Sequence, residues 1–429
     1  MLGLKKVPAR SKPSARQAAT AAVEQGAQQI CKSSFESGAI SVTLGQADDR
    51  LQKAGTPRKP TARNQAEPAR EVPRKNTDMS PRKKWLTIGL IALLAASIAF
   101  AVAAFIVTRD SMELTRVTTL TSPTAPKAIK LYCPLDGTEV EDRAATVRRP
   151  VIVQVDNAPA ARQQSGLSQA DIVYEAMAEG DVTRFAAIFA CRDAEEVGPV
   201  RSARLVNLEL VPEYDALLSN SGSSEGVTAE LEARPDIPNI VHSNFPDVYW
   251  RVGDRFAPHN LMTSTTQVRE AAVAAGYSGE AALRGPAFKD DSPAPAVSTI
   301  SIPYSGIVNV SYQYDPATNS WKRFIGGEPH VDVLNGAQIS PKNVVIQFVN
   351  TYESSIIEDA GGNYGLQFEL TGSGRIVMFR DGAAIEGTWS RAAENEVTTY
   401  LDAAGKPLPL NRGQTFVQLV PLDFPATWG

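Results

Sequence analysis

The sequence predicts an α+β or α/β N-terminal ectodomain and a β-rich C-terminal domain, preceded by a disordered tail and one transmembrane helix. Three observations carry this expectation. Trp85 to Val107 is an apolar run of 23 residues without a charge. Charge divides across it: residues 1–84 carry 17 basic and 7 acidic groups, the rest of the chain 26 and 40. Beyond about residue 300, helical periodicity gives way to short alternating runs separated by Gly, Asn, Asp and Pro.

Residues 1–84 are rich in Ala, Lys, Arg, Pro, Gln and Ser, with Phe35 as their one aromatic. Such a composition cannot bury enough apolar surface to offset chain entropy, so a disordered basic tail is expected. Met79, before SPRKKW, would serve as an alternative start. At about 1.5 Å per residue, segment 85–107 reaches across a hydrocarbon core of roughly 30 Å. Arg82, Lys83 and Lys84 abut its N-terminal end, whereas Arg109 and Asp110 cancel at the other. The positive-inside rule then puts the tail in the cytoplasm and residues 110–429 outside the plasma membrane. A cleaved signal peptide is the rival reading. Its apolar core would be only ~7–15 residues long, and the cleavage-like AVAA lies within the run.

A Ser/Thr/Pro-containing stalk (108–130) leads to an α/β ectodomain, 131–280. PVIVQVDN (150–157) predicts a strand that delivers Asp156 and Asn157 into a loop. IVYEAMAEGDVTRFAAIFA (172–190) predicts a hairpin turning at Glu179-Gly180-Asp181, because Gly180 interrupts any helix. SARLVNLELVPEYD predicts a helix with Ser202 as N-cap, and two more helices follow, each with a hydroxyl-bearing start. ALLSNSGSS predicts a strand ending in a Ser/Gly loop. Residues 281–299 read as a linker, and 300–429 as an all-β sandwich or barrel.

Cys133 and Cys191 fall on the oxidising side, where a bridge between them is a simpler expectation than two thiols. With three histidines and no C-x-x-C spacing, no metal site and no cofactor is expected. The acidic ectodomain argues against nucleic acid as a partner.

EVGPVRSARLV (196–206) raises the functional question: Arg201 and Arg204 stand three apart among small and apolar residues. Buried arginines need partners. Glu175 and Glu179, four apart and expected on one face, could pair with Arg184, Arg201 and Arg204 in one network. They could instead act as general acid and base. His259, beside Asn260 in RFAPHNLMTS, is a third catalytic candidate. Asn157, Arg184, Arg201, Ser202, Arg204 and Asn260 are the ligand-binding candidates, with an acidic ligand suited to the guanidinium forks. Arg201, nearer the Gly-Pro turn, is expected buried, and Arg204 is expected to face the ligand.

RPVIVQVDN, SGLSQADIVYEAMAEGDVTRFAAIF, GPVRSAR, APHNL and YDPATNSWKRFIGGEPHVD together resemble the YerB-like family of bacterial lipoproteins. That family has N- and C-terminal domains of unknown function, and the resemblance spans nearly all of 133–425. It implies an extracytoplasmic bacterial protein associated with the cell envelope. No cysteine ends the apolar segment to accept lipid, so a transmembrane anchor would stand in its place.

The expected function is a membrane-anchored binding or regulatory module whose partner is a cell-envelope component or membrane protein complex. The alternative is a cell-wall-directed hydrolase or transferase using the Glu/Arg/His cleft, and a third possibility is a structural spacer. The topology is directly testable. A reporter fused after Gly429 is expected outside intact cells and pelleting with membranes; release of a mature protein beginning near residue 105 would reverse that reading.

Overall fold

The computed structural model describes residues 81–113 and 130–429, and the chain divides into two compact units, 1–117 and 118–429. Among the described residues of the first unit, a helix runs Pro81–Glu113 and encloses the expected apolar segment. Its window Gly89–Ile106 has a mean hydropathy of 2.6 and no packed face, long and apolar enough to cross a membrane. The helix continues past residue 107, so the first residues of the expected stalk are helical. Most of the predicted disordered tail, with Cys31, and most of the stalk lie outside the described residues.

The second unit is β-rich with few helices, built on one ten-stranded mixed sheet. The strand order is Thr399–Leu401, Ala383–Arg391, Gly372–Arg380, Asn343–Val349, Thr415–Pro421, Ile172–Met177, Thr183–Phe189, Val151–Asp156, Leu217–Asn220 and Asn239–Val241. Val151–Asp156, Thr183–Phe189 and Asn343–Val349 are buried along their whole length. Such continuous burial requires cover on both faces, so apolar residues occupy consecutive positions in these strands, interrupted by buried polar groups such as Gln154, Arg184 and Gln347. Helices Leu205–Tyr214 and Glu225–Glu232 pack on one face, together with the two-stranded Thr351–Ile357/Tyr364–Phe368 hairpin. On the other face lie helix Thr265–Ala274 and a five-stranded sheet.

That five-stranded sheet runs Glu328–Pro329, Ser320–Ile325, Asn309–Asp315, Thr299–Pro303 and Thr427–Trp428. Ile300, Val310, Tyr312 and Trp321 pack on Val344, Ile346, Phe348 and Phe379 of the large sheet. The self-contained sandwich or barrel expected for 300–429 is therefore not what forms. Thr415–Pro421 pairs parallel with Asn343–Val349 on one side and with Ile172–Met177 on the other. The C-terminal strands thus extend the N-terminal sheet instead of closing on themselves.

Local chemistry accounts for the other elements. Gly180 and Asp181, with φ of 72° and 58°, make the turn between Ile172–Met177 and Thr183–Phe189. Ser224 and Ser264 cap the helices that follow them, accepting from Val227 N and Gln267 N. Ser202 caps nothing. The helix begins at Leu205, its N-cap is Arg204, and the Arg204 amide donates to Asn207 Oδ1 at 2.8 Å. Residues 201–204 are held extended because Arg201 N donates to Gln154 O and Ala203 N donates to Gly222 O, both at 2.8 Å.

Cys133 and Cys191 are joined by a disulfide that ties the leading segment to the end of the Thr183–Phe189 strand. Beside it, Asp171 Oδ2 accepts from the Ala190 and Cys191 amides at 2.6 and 3.2 Å. Burial, aided by repulsion from Asp136, pushes the Asp171 carboxyl up to about 7 against the pull of Arg192.

Candidate functional site

The candidate site grows from the carboxyl end of Val151–Asp156. Asp156 is fully buried, stands opposite Arg184 in the sheet, and accepts from the Ala158 amide at 3.0 Å. Arg184 Nη1 lies 3.4 Å from its Oδ1, and Arg201 Nε lies 3.2 Å from its Oδ2. His259 Nδ1 lies 2.7 Å from the same Oδ2. Burial alone would raise the Asp156 pKa; Arg184, the Ala158 amide, Arg201 and His259 together outweigh it and hold the carboxyl low. Two of these partners reach the surface: the Arg201 and His259 side chains are 24% and 23% exposed.

A second group adjoins the first through Arg184, whose Nη2 is 3.4 Å from Glu179 Oε1. Arg204 grips both oxygens of Glu179 in a fork and reaches Glu358 Oε2 at 2.5 Å. All three side chains are buried. One guanidinium therefore faces two carboxylates. Burial opposes its charge, yet Glu179 and Glu358 overcome that and raise the Arg204 pKa. Glu358 bears the excess: burial, reinforced by Glu179, lifts it to about 7 despite Arg204.

Glu175 belongs to neither group. Ile172–Met177 ends before the turn, so the expected common face with Glu179 does not exist. Alternation sends Glu175 toward the five-stranded sheet, and the turn carries Glu179 to the helical side. Glu175 Oε2 meets Arg323 Nη2 at 2.9 Å, both side chains wholly buried. Its Oε1 accepts from Thr183 Oγ1 at 2.8 Å and from Asn157 Nδ2 at 3.3 Å. Arg323 donates to Tyr312 OH at 2.7 Å and to His330 Nδ1 at 2.9 Å. His330 must then donate through Nε2 to Gln164 Oε1, 2.6 Å away. Burial first, then Arg323 and Arg162, hold His330 neutral well below its ordinary pKa.

The structure thus gathers Glu179, Arg184, Arg201, Arg204 and His259, and sends Glu175 and Asn157 to the buried network. Asn260 is spent on its own loop, donating to Val252 O and Arg255 O and accepting from Arg251. Ser202 is half-buried beside Arg201. The expected roles of the two arginines are reversed: Arg204 is buried between carboxylates, and Arg201 reaches solvent. The 201–204 segment is extended rather than helical, so position along a helix does not set which arginine is buried. Asp156, Glu358 and Arg323 join the site beyond the candidates that the sequence offers. Asp156 is visible as a strand-end carboxylate, but Glu358 and Arg323 lie far along the chain, and no local pattern marks them.

The reversal is measurable. R204A leaves two buried carboxylates short of a partner and is expected to lose about 3–5 kcal/mol of stability in thermal or urea melts. R201A leaves Asp156 with Arg184, His259 and an amide, and is expected to melt like the parent. Glu358 also sets a pH dependence. Between about pH 4.5 and 7 the folded state keeps a proton that the unfolded state has released, so stability declines as pH rises through that window. E358Q is expected to flatten part of this slope; Asp171, raised in the same direction, supplies another part. A slope unchanged in E358Q would refute the assignment.

Comparison with known proteins gives concordant matches. The N-terminal domain of a family described as "Protein of unknown function (DUF3048)" matches residues 135–278, and its C-terminal domain matches 300–417. "Putative lipoprotein YerB" of Bacillus subtilis (strain 168) is 35% identical over 300 residues, covering 68% of this chain and 87% of that protein. The crystal structure of YerB from Bacillus subtilis is similar to 70% of this chain and 100% of its own, with 32% identity and a TM-score of 0.62. On the sequence match and both domain matches, the chain belongs to the YerB-like DUF3048 family.

Proposed function

We propose that this protein is a single-pass, membrane-anchored binding or regulatory module of the bacterial cell envelope, with residues 130–429 outside the plasma membrane. The apolar helix Pro81–Glu113, the basic residues at its N-terminal end and the lipoprotein name of its relative support the location. In this reading the ligand is acidic, a carboxylate-bearing envelope component, and it meets Arg201 and His259 at the mouth of the Asp156 cluster.

One observation carries the choice of binding over catalysis: both carboxylates that could serve as acid and base are buried and committed to arginines. Glu175 is held by Arg323, and Glu179 by Arg204 and Arg184. A glycosidase of the usual kind needs a carboxyl pair spaced about the scissile bond and free to meet it. The exposed groups are instead a guanidinium and an imidazole fixed by one buried carboxylate, an arrangement suited to holding an anion in a set orientation.

The test is titration of an acidic wall stem peptide into the full chain in lipid nanodiscs. Binding is expected for the parent and lost in R201A, whose melting is unchanged. Equal binding by R201A and parent, or turnover of the peptide, would reject the reading.

A further inference from the structure

At the far edge of the large sheet a second cleft has a different chemistry. Leu217–Asn220 and Asn239–Val241 run parallel, and the residues that follow each strand, together with the 228–237 segment leading into the second, line a cleft of about 560 Å³. Its walls include Ser223, Thr228, Asn239, Ser243, Asn244 and Tyr277. The volume falls in the range of roughly 300–1,000 Å³ that small ligands occupy.

We propose that this cleft binds a neutral oligosaccharide. Beside the apolar Leu231, Pro235, Ile237 and Val241, the cleft presents hydroxyls, amides and one aromatic ring, groups that match a sugar's hydroxyls and apolar C–H face. Several hydrogen-bonding groups are uncommitted. Asn239 Oδ1 accepts from Asn220 at 2.6 Å, leaving its Nδ2 without a partner among the described residues. Ser243 Oγ donates to Asn244 Oδ1 at 3.2 Å, leaving the Asn244 Nδ2 in the same state. The Tyr277 hydroxyl likewise has none among the described residues.

Charge separates this cleft from the cluster at Arg201. Arg234 borders it, but its guanidinium is bound to Asp236 at 2.9 and 2.7 Å and to Glu394 at 2.6 Å. With that cation neutralised and Glu232 beside it, an anion finds no attraction here. The rival occupant is an extended peptide added to the sheet edge. Asn239–Val241 is only 3 residues long, and Val241 O already accepts from Asn244 N and Phe245 N at 3.0 Å each. That edge offers too short a ladder for strand addition.

The proposal does not depend on the acidic-ligand reading, and the two can fail separately. Saturation-transfer NMR on the full chain in nanodiscs would use two neutral trisaccharides, chitotriose and maltotriose, and an alternating Val-Thr octapeptide. Transfer to at least one trisaccharide is expected, weakened about tenfold in affinity by N239L. N244A changes an exposed side chain and keeps the test open if N239L fails to fold. R201A is expected to keep sugar binding while losing the acidic stem peptide. The proposal is overturned if neither trisaccharide binds, if well-folded N239L and N244A both bind as the parent does, or if the octapeptide alone binds.

Discussion

The buried Glu175–Arg323 pair is the constraint around which the rest of the second unit is arranged. Both side chains are removed from water, and the pair joins the two sheets at their interface. Two such charges are tolerated only when every remaining lone pair and proton finds a partner. That requirement explains the company they keep. Thr183 and Asn157 donate to Glu175 Oε1, while Tyr312 and His330 accept from Arg323, leaving Oε2 and Nη2 to each other. Phe185, Tyr312 and Phe416 bring their rings to 5.4–5.5 Å of the guanidinium carbon. An apolar contact between the sheets could slide; this one fixes their position, because a shift would strand a buried charge.

The closed network and the solvent-reaching cluster are mechanically one piece. Gln164 holds His330 through its Oε1, and its Nε2 donates to Asp156 O at 2.8 Å and Asn157 Oδ1 at 3.0 Å. The backbone that presents Asp156 to Arg201 and His259 is therefore fastened from behind by the groups that satisfy Arg323. Arg201 and His259 consequently rest on a carboxylate that cannot retreat. Preorganisation of this sort lowers the entropy lost when a ligand is held. Glu179, Arg204 and Glu358 do the same for the neighbouring turn, fastening it to the residue after the Thr351–Ile357 strand.

The parts of this architecture legible in the sequence were those written locally. The apolar segment 85–107, the Ile172–Met177/Thr183–Phe189 hairpin and the three short helices follow from composition, turn residues and periodicity. Strands beyond residue 300 were legible as strands, but their pairing was not. Nothing in TFVQLVP says that it lies between Asn343–Val349 and Ile172–Met177. The site divided in the same way. Arginines and glutamates clustered in 175–204 announced an ion-pair network, yet the partners of Glu175 and part of those of Arg204 come from residues 323 and 358. Burial at Arg201 and Arg204 is not legible locally, because helical periodicity continues into a stretch that backbone bonds to Gln154 and Gly222 hold extended.

The position of Thr415–Pro421 in the middle of the large sheet has a consequence for how the chain acquires its shape. Synthesis delivers Ile172–Met177 together with its hairpin partner, but the strand that covers its other edge follows only after the whole intervening segment from residue 190 to residue 414. Until then a buried-type strand stands with an open row of amides and carbonyls, and Asn343–Val349 waits in the same condition. Closure of this part of the sheet must follow synthesis of Thr415–Pro421, which makes folding slow and non-local. During that interval the half-built sheet is the most vulnerable state of the molecule, open to pairing with other chains.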